Sequence, residues 1–286
     1  MSNGRSDEEI SRTKEEVLNI INQLRDVGES SLEYKEIRKL ASELANEGIY
    51  QTYLLPAELR VYRARFLGNP AKDKKCFTLN DLVPPQPAET HGYGRCNQPS
   101  RPVCYCSRHE GIALAEVKAK LGEQYVISTF DVAKDIRLLP IGEFDWFRRT
   151  GETYLGQENP HSARAYEDAL DAEDGLIRAV IDAFLADEFI KRKGNFMITS
   201  AFSDVLLNGD LRPKNPIGAI VYPSVAFRGG LNFAILPGAF YSKMKLVEAE
   251  TKIIKINEAV GYEIYDCEVM ATLRSYNSDG VLIWNN

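Results

Sequence analysis

The sequence predicts an α+β fold. Strand-like runs gather between residues 59 and 140 and again after residue 217, and a long helical block separates the two groups. Strict strand–helix alternation, the mark of a doubly wound sheet, is absent. The 286 residues suit one large domain with a smaller appendage, and a hydrophobic content of 44% is enough for an ordinary core.

Taken in order, residues 1–10 read as unstructured. From Thr13 the pattern turns helical, with Val17, Ile20, Ile21 and Leu24 at three- and four-residue spacing. Thr13 and Glu16 fit a capping box, and Gly28 fits a stop. A second helix carries Ile37, Leu40, Ala41 and Leu44 on one face and ends at Gly48. The two predict an N-terminal helical extension over residues 1–55, which either packs on the rest of the chain or supports a homodimer.

LRVYRARF, Leu59 to Phe66, reads as the first strand. Its alternation buries one face and keeps Arg60 and Arg63 out of the environment of Val61. Residues 76–94, rich in proline and glycine, read as an irregular loop. PVCYCS is a short strand, and HEGIALAEVKAKLG a helix ending at Gly122. QYVISTFDV and KDIRLLPI follow as strands. Residues 141–195 form a helical insertion, in which GLIRAVIDAFLADEFIKRK has a strong helical period. The late strands are IGAIVYPSV, LNFAILP, KMKLVEAETKIIKIN and YEIYDCEVMATL. Residues 56–286 are thus expected to form one domain interrupted by the insertion.

Charge and cysteine content narrow the function classes. A net charge of −6 and a pI near 5.3 argue against direct nucleic-acid binding through the overall field, and leave a local basic pocket open. The polar start has no apolar h-region, and no apolar run reaches the length of a membrane span. Five cysteines, an odd number, do not suggest a complete disulfide framework. A cytoplasmic protein with reduced thiols and no membrane partner is expected.

The stretch GRCNQPSRPVCYCSRHEGIALAEVKA, residues 94–119, concentrates the polar chemistry. His91, Cys96, Cys104, Cys106 and His109 lie close in sequence but include no CxxC pair, so no metal site is expected. Cys104 and Cys106 sit two apart on a strand and share its buried face, with Tyr105 on the other. No His–Asn or His–Asp arrangement accompanies a cysteine nucleophile. An anion site fits better. Gly94 lets backbone approach a ligand, and Arg95 offers a planar fork for phosphate oxygens. Arg63 can add a second positive group, and Tyr105 can stack on a planar ring. Glu116 has Ile112 and Ala113 at i−4 and i−3, on or beside the apolar face of its helix. A carboxylate there is either at the edge and solvated or held inward, and from pattern alone it reads as a solvated edge residue. Spacing and composition stop at a phosphate-containing ligand.

The blocks VYRAR, GRCNQPSRPVCYCSRHEGIALAEV, GAIVYPSV and GLNFAIL, in that order, resemble the RES domain family over most of residues 56–240. The resemblance implies an ADP-ribosyltransferase-like core, a mixed or antiparallel sheet with flanking helices. It implies an enzyme that degrades NAD+ at the nicotinamide–ribose bond by hydrolysis or phosphorolysis, acting as the toxin of a bacterial toxin–antitoxin pair. Alternatives are a mono-ADP-ribosyltransferase acting on a protein and a non-catalytic NAD-binding module. NAD+ would be the substrate, inorganic phosphate a co-substrate in the phosphorolytic case, and a protein antitoxin the partner; no further cofactor is implied. The family's arginine falls on Arg95, its tyrosine on Tyr105, its glutamate on Glu116 and its serine on Ser224. Its opening-strand arginine falls on Arg63. The implied roles are a diphosphate clamp for Arg95 and Arg63, a nicotinamide platform for Tyr105, and stabilisation of the ribosyl cation for Glu116. Ser224 would hydrogen-bond the nicotinamide or its ribose, with Asn97 and Asn232 as further polar contacts. Cys96 stands where the family has an aromatic residue, and the N-terminal helices and the long helical block are additional.

Overall fold

The computed structural model describes residues 6–26, 32–48, 50–68, 77–154, 160–191, 196–208, 216–227, 229–261 and 264–285. The chain forms two compact units, each drawn from three separate segments. A helical unit comprises Met1–Tyr53, Gly92–Pro99 and Arg137–Tyr222; a sheet unit comprises Leu54–His91, Ser100–Ile136 and Pro223–Asn286. In chain order the elements are α1 (Asp7–Arg25), α2 (Tyr34–Glu47), β1 (Tyr53–Leu55), β2 (Arg60–Gly68), α3 (Leu79–Leu82), β3 (Cys104–Ser107), α4 (Glu110–Glu116), β4 (Gln124–Val132) and β5 (Ile136–Pro140). Then come α5 (Glu143–Thr150), α6 (Pro160–Leu170), α7 (Gly175–Ile190), α8 (Met197–Asn208), β6 (Ala219–Pro223), β7 (Leu231–Ile235), α9 (Pro237–Lys243), β8 (Met244–Leu246), β9 (Lys252–Gly261), β10 (Ile264–Tyr276) and β11 (Leu282–Asn285). The fold is α+β, as the sequence predicts. No helix among the described residues is long and apolar enough to cross a membrane.

In the helical unit, α1 starts at Asp7 rather than at Thr13. Ser6 is the N-cap: its side chain accepts from the Glu9 amide, and the Glu9 carboxylate accepts from the Ser6 amide at 2.9 Å. This Ser-x-x-Glu box lies upstream of the expected one, and Asp7, Glu8 and Glu9 add favourable charge to the first turn. The Thr13 hydroxyl instead donates to the Glu9 carbonyl inside the helix. Gly28, the expected stop, lies outside the described residues. α2 ends where predicted, with Gly48 as its C-cap. Val17, Ile21 and Leu24 of α1 and Ile37, Ala41 and Leu44 of α2 are buried. Both helices pack on α7, and α2 packs on α8, so the N-terminal extension and the insertion share one unit. Arg38 of α2 pairs with Asp204 of α8 at 2.6 Å.

Buried carboxylates tie α5 into this unit. Gly142 caps α5 with a left-handed φ of 79° and has no side chain to cap with. Asp182, from α7, supplies the acceptors: the amides of Gly142 and Asp145 donate to its two oxygens at 2.9 and 2.8 Å. A Cβ at position 142 would stand 2.7 Å from the Ala186 methyl, so glycine lets the two helices approach. Beside it, Glu143 accepts from the hydroxyls of Tyr53 and Tyr166 at 2.9 and 2.8 Å and from the Tyr154 amide at 2.7 Å. β5 and β6 pair in parallel, Leu138 opposite Ala219.

The sheet unit orders its strands β7-β3-β2-β4-β9-β10-β11, with β8 also paired to β4. These pairings are antiparallel. Opposite Phe130, Ser128 and Val126 of β4 stand Val61, Arg63 and Arg65 of β2. These three alternate residues therefore share one face. Arg63 is on the side of Val61 and is buried there, contrary to the reading that set the two apart, because the side-chain period of a strand is two. Ala64 is on the other face and packs with Ala113 and Leu114 of α4, Tyr125, Ile127, Ile254 and Ile256; Tyr62 packs against the same cluster. The single strand expected over residues 243–257 is two strands. A 3-10 turn over Glu248–Glu250 separates them, closed by the Thr251 hydroxyl donating to the Val247 carbonyl at 3.0 Å. α9 and β11 were not expected from the sequence.

Burial is the main cause that pushes the Asp182 carboxyl from its ordinary value near 3.8 up to about 7. The folded state therefore holds a proton that the unfolded chain has lost between those values. The resulting stabilisation is full below about pH 4 and is lost as pH rises through about 7. Thermal unfolding of wild type and Asp182→Asn across pH 4–8 should show it. The wild-type midpoint should fall relative to that of the variant over this window, by the equivalent of about 4 kcal/mol. Parallel pH profiles would show that Asp182 does not titrate in the native state.

Candidate active site

α4 stops at Glu116, not at Gly122 as expected. The Lys118 amide donates to the Ala115 carbonyl at 2.9 Å and the Ala119 amide to the Leu114 carbonyl at 3.0 Å. Lys118 itself adopts a left-handed φ of 54°. This is the Schellman closure, built on a lysine where glycine is usual, and it makes Glu116 the last helical residue. The pattern runs on past the end because Ala119 and Leu121 continue the apolar spacing, while the backbone reversal has no glycine to announce it.

The Glu116 side chain turns inward, contrary to the edge reading, because buried donors distant in sequence meet it. Its Oε1 accepts from the Ser224 hydroxyl at 2.6 Å and from the Asn232 amide nitrogen at 2.5 Å. Asn232 is oriented in turn by the Ser107 hydroxyl, which donates to its Oδ1 at 2.6 Å. Ser224, Asn232 and Ser107 are all buried. The Ser224 oxygen also accepts from the Ala226 and Phe227 amides at 3.2 and 3.0 Å, so its one proton is committed to Glu116. Glu116 Oε2 takes no hydrogen bond from a described residue. Among the described residues, one oxygen is thus tethered and the other is not.

β3 positions the neighbours. Ser107 pairs with Tyr62 and with Asn232, and Tyr105 lies two residues before Ser107, on the same face. Cys104 and Cys106 are buried on the opposite face with their sulfurs 3.8 Å apart. Arg63 meets that face: its Nη1 donates to the Tyr105 carbonyl at 3.1 Å and lies 3.4 Å from the Cys104 sulfur. Burial alone would raise Cys104, but the bond with Cys106 and the guanidiniums of Arg63 and Arg65 outweigh it and draw the thiol down. Sheet register therefore groups Tyr105, Ser107, Asn232 and Glu116 on one side and puts Arg63 on the other.

Arg95 and Asn97 belong to the helical unit. Arg95 donates to the carbonyls of Phe189 and Lys191 at the end of α7, the latter at 2.7 Å, and its guanidinium lies 5.0 Å from the centre of the Phe196 ring. α8 holds the loop through Ser200, which donates to the Asn97 carbonyl at 2.9 Å, while Ser203 commits its one proton to the Thr199 carbonyl at 2.8 Å. Asn97 donates to the carbonyls of Gly92 and Gln98. Tyr93 stacks on Tyr34 of α2, ring centres 5.0 Å apart. Between Arg95 and Asn97, burial pushes the Cys96 thiol up to about 12, which removes it as a nucleophile.

Ser107 was not singled out from the sequence. The signal was present: it stands two residues from Tyr105, and period two puts both on one face. A family model described as RES domain matches residues 60–251. No curated protein and no solved structure matches the chain.

Two expectations follow. Lys118→Gly relieves the left-handed backbone after Glu116 and should raise stability by about 1 kcal/mol in denaturant titrations, whereas a lowered midpoint would mean that the lysine is not strained. Tyr34→Ala removes the stack on Tyr93 and should cost about 1–2 kcal/mol while speeding amide exchange across residues 92–99. Unchanged exchange there would show that α2 does not hold the Arg95 loop.

Proposed function

The chain belongs to the RES domain family, and from that premise we propose that it is a cytoplasmic enzyme that degrades NAD+ at the nicotinamide–ribose bond. The observation that carries this reading is the half-tethered carboxylate of Glu116. Two donors hold Oε1, so Oε2 presents negative charge at a fixed place without having to reorganise.

The chemistry needs such a group. As the bond between the ribose anomeric carbon and the nicotinamide nitrogen breaks, its electron pair returns to the ring and nicotinamide leaves neutral. Positive charge gathers on the ribose. A carboxylate about 4 Å from that carbon interacts with a full unit charge by roughly 4 kcal/mol at an effective dielectric near 20. Only the part gained beyond the cationic ground state accelerates the step. Water then adds to the anomeric carbon and sheds a proton to give ADP-ribose, or inorganic phosphate adds to give ADP-ribose 1″-phosphate.

In this proposal Glu116 is the catalytic residue and Tyr105 the platform for the nicotinamide ring. Ser224, Asn232 and Ser107 act through Glu116 as positioning residues. Arg63 acts on Tyr105 through its backbone carbonyl. Arg95 and Asn97 enter on the family pattern alone, Arg95 as a phosphate contact. Loss of NAD+ arrests the cell that makes such an enzyme, so the proposal includes a toxin role and a protein antitoxin that neutralises it.

The test is turnover of NAD+ by the purified chain, with and without inorganic phosphate, following free nicotinamide and identifying the ribosyl product. Glu116→Gln preserves an acceptor for Ser224 and Asn232, so the fold should hold while kcat falls about 100- to 1000-fold. A Gln variant that turns over like wild type removes Glu116 from this role. Label retained on a protein would redirect the reading to ADP-ribosyl transfer.

A further inference from the structure

β10 is paired along the whole of one edge and along only part of the other. β9 pairs with it over residues 264–272, whereas β11 pairs with it over residues 272–276. No strand among the described residues pairs with the second edge over residues 264–269. This stretch lies wholly beyond the residues that the family model matches.

The edge is regular where it is open. At two shifts of register β10 advances one residue while β9 advances two, from Gly261 to Ala259 and from Glu258 to Ile256. The extra residues, Val260 and Asn257, therefore belong to β9. The extra residue of the third shift, Met270, is on β10 and falls just past the open stretch, where β11 takes over the edge. A regular run of this length turns about three residues outward, each with one N–H and one C=O for a further strand. Proline and lysine, which commonly blunt such an edge, do not occur in it.

The side chains select what can pair. Tyr265 and Cys267 pack toward the cluster around α4. Period two puts Ile264, Asp266 and Glu268 on the other face, and all three are exposed. Glu268 stands opposite Lys255 of β9, but Asp266 stands opposite Glu258, a like-charge pair that costs stability. Pairing with the same edge of a second copy would gather the Asp266 and Glu268 carboxylates of both chains in one ladder, so charge disfavours it. A strand with basic residues at alternate positions would meet both carboxylates and offset the repulsion between Asp266 and Glu258. Ile264 and Val269, 57% and 53% exposed, leave apolar surface for it to cover at the two ends of the stretch.

We propose that residues 264–269 of β10 accept an extended segment of a partner protein as an added strand, with Lys or Arg at two alternate positions facing Asp266 and Glu268. Backbone hydrogen bonds hold the segment, and the two carboxylates choose its sequence. The net charge of −6 favours encounter with a basic partner. The site does not depend on the reaction at Glu116.

The probe is the acetylated, amidated peptide Thr-Val-Lys-Val-Arg-Val-Thr, compared with a version carrying Glu at both basic positions and one carrying Pro in place of the central Val. Binding to the full chain is followed by fluorescence anisotropy and by amide exchange. In the chain alone, outward amides of residues 264–269 should exchange fast. The basic peptide should slow them and bind at least tenfold more tightly than either comparison peptide. The double reversal Asp266→Lys with Glu268→Lys, at exposed positions, should weaken the basic peptide at least tenfold and bind the acidic one instead. Slow exchange along this edge in the chain alone overturns the proposal, because the edge is then already covered. So does the absence of binding by the basic peptide up to about 1 mM. Equal binding of that peptide by the reversed variant, or of the Pro peptide by wild type, overturns it as well. A dimer in sedimentation that protects residues 264–269 would give the edge to a second copy and likewise overturn it.

Discussion

Two short hydrogen bonds to one oxygen of Glu116 constrain the sheet unit around them. Ser224 follows β6 and Asn232 lies on β7, yet both donate to the same atom. That atom hangs from the last residue of α4, so the helix must end there and the chain must reverse at once. Lys118 takes the left-handed conformation that this reversal requires, although a lysine is strained in it. At the strand end, Gly230 completes the fit. A Cβ there would stand 2.8 Å from Ile112, one turn before Glu116 on α4. Backbone strain, a missing side chain and two buried donors all serve to place one carboxylate.

The same economy holds in the helical unit, where caps come from distant side chains. Asp182 caps α5 from α7, and Arg95 closes the end of α7 from a loop. The Arg95 loop is held by Ser200 of α8 and by the stack of Tyr93 on Tyr34. α1 and α2 lie before the family-matched residues, so this support for the loop is an addition to the domain that the family model covers. β9 starts within a residue of the other end of the match, and the long β9–β10 pair extends beyond it.

Legibility followed the density of apolar residues. The end of α2 was read from its apolar face and Gly48, and β4 and α7, buried on more than one side, were read with nearly their observed bounds as apolar runs of strand and helix length. Errors came where local signals competed or were absent. Two Ser/Thr-x-x-Glu boxes lie in α1, and the more acidic one starts the helix. The end of α4 lacks a glycine, so its pattern overran. Arg63 was judged by its charge when strand period already put it beside Val61.

The sequence by itself determined the fold class, the helical block between two groups of strands and the alternation that separates Tyr105 from its flanking cysteines. These depend on periods of two and of about three and a half, which are properties of neighbouring residues. Whether Glu116 faced water or the interior was not a local property. Its partners lie 108 and 116 residues away, and only the pairing of β3 with β7 and the turn after β6 bring them within hydrogen-bond reach. A lone glutamate at the edge of an apolar helix face is compatible with either environment, and tertiary structure decided between them by supplying buried donors.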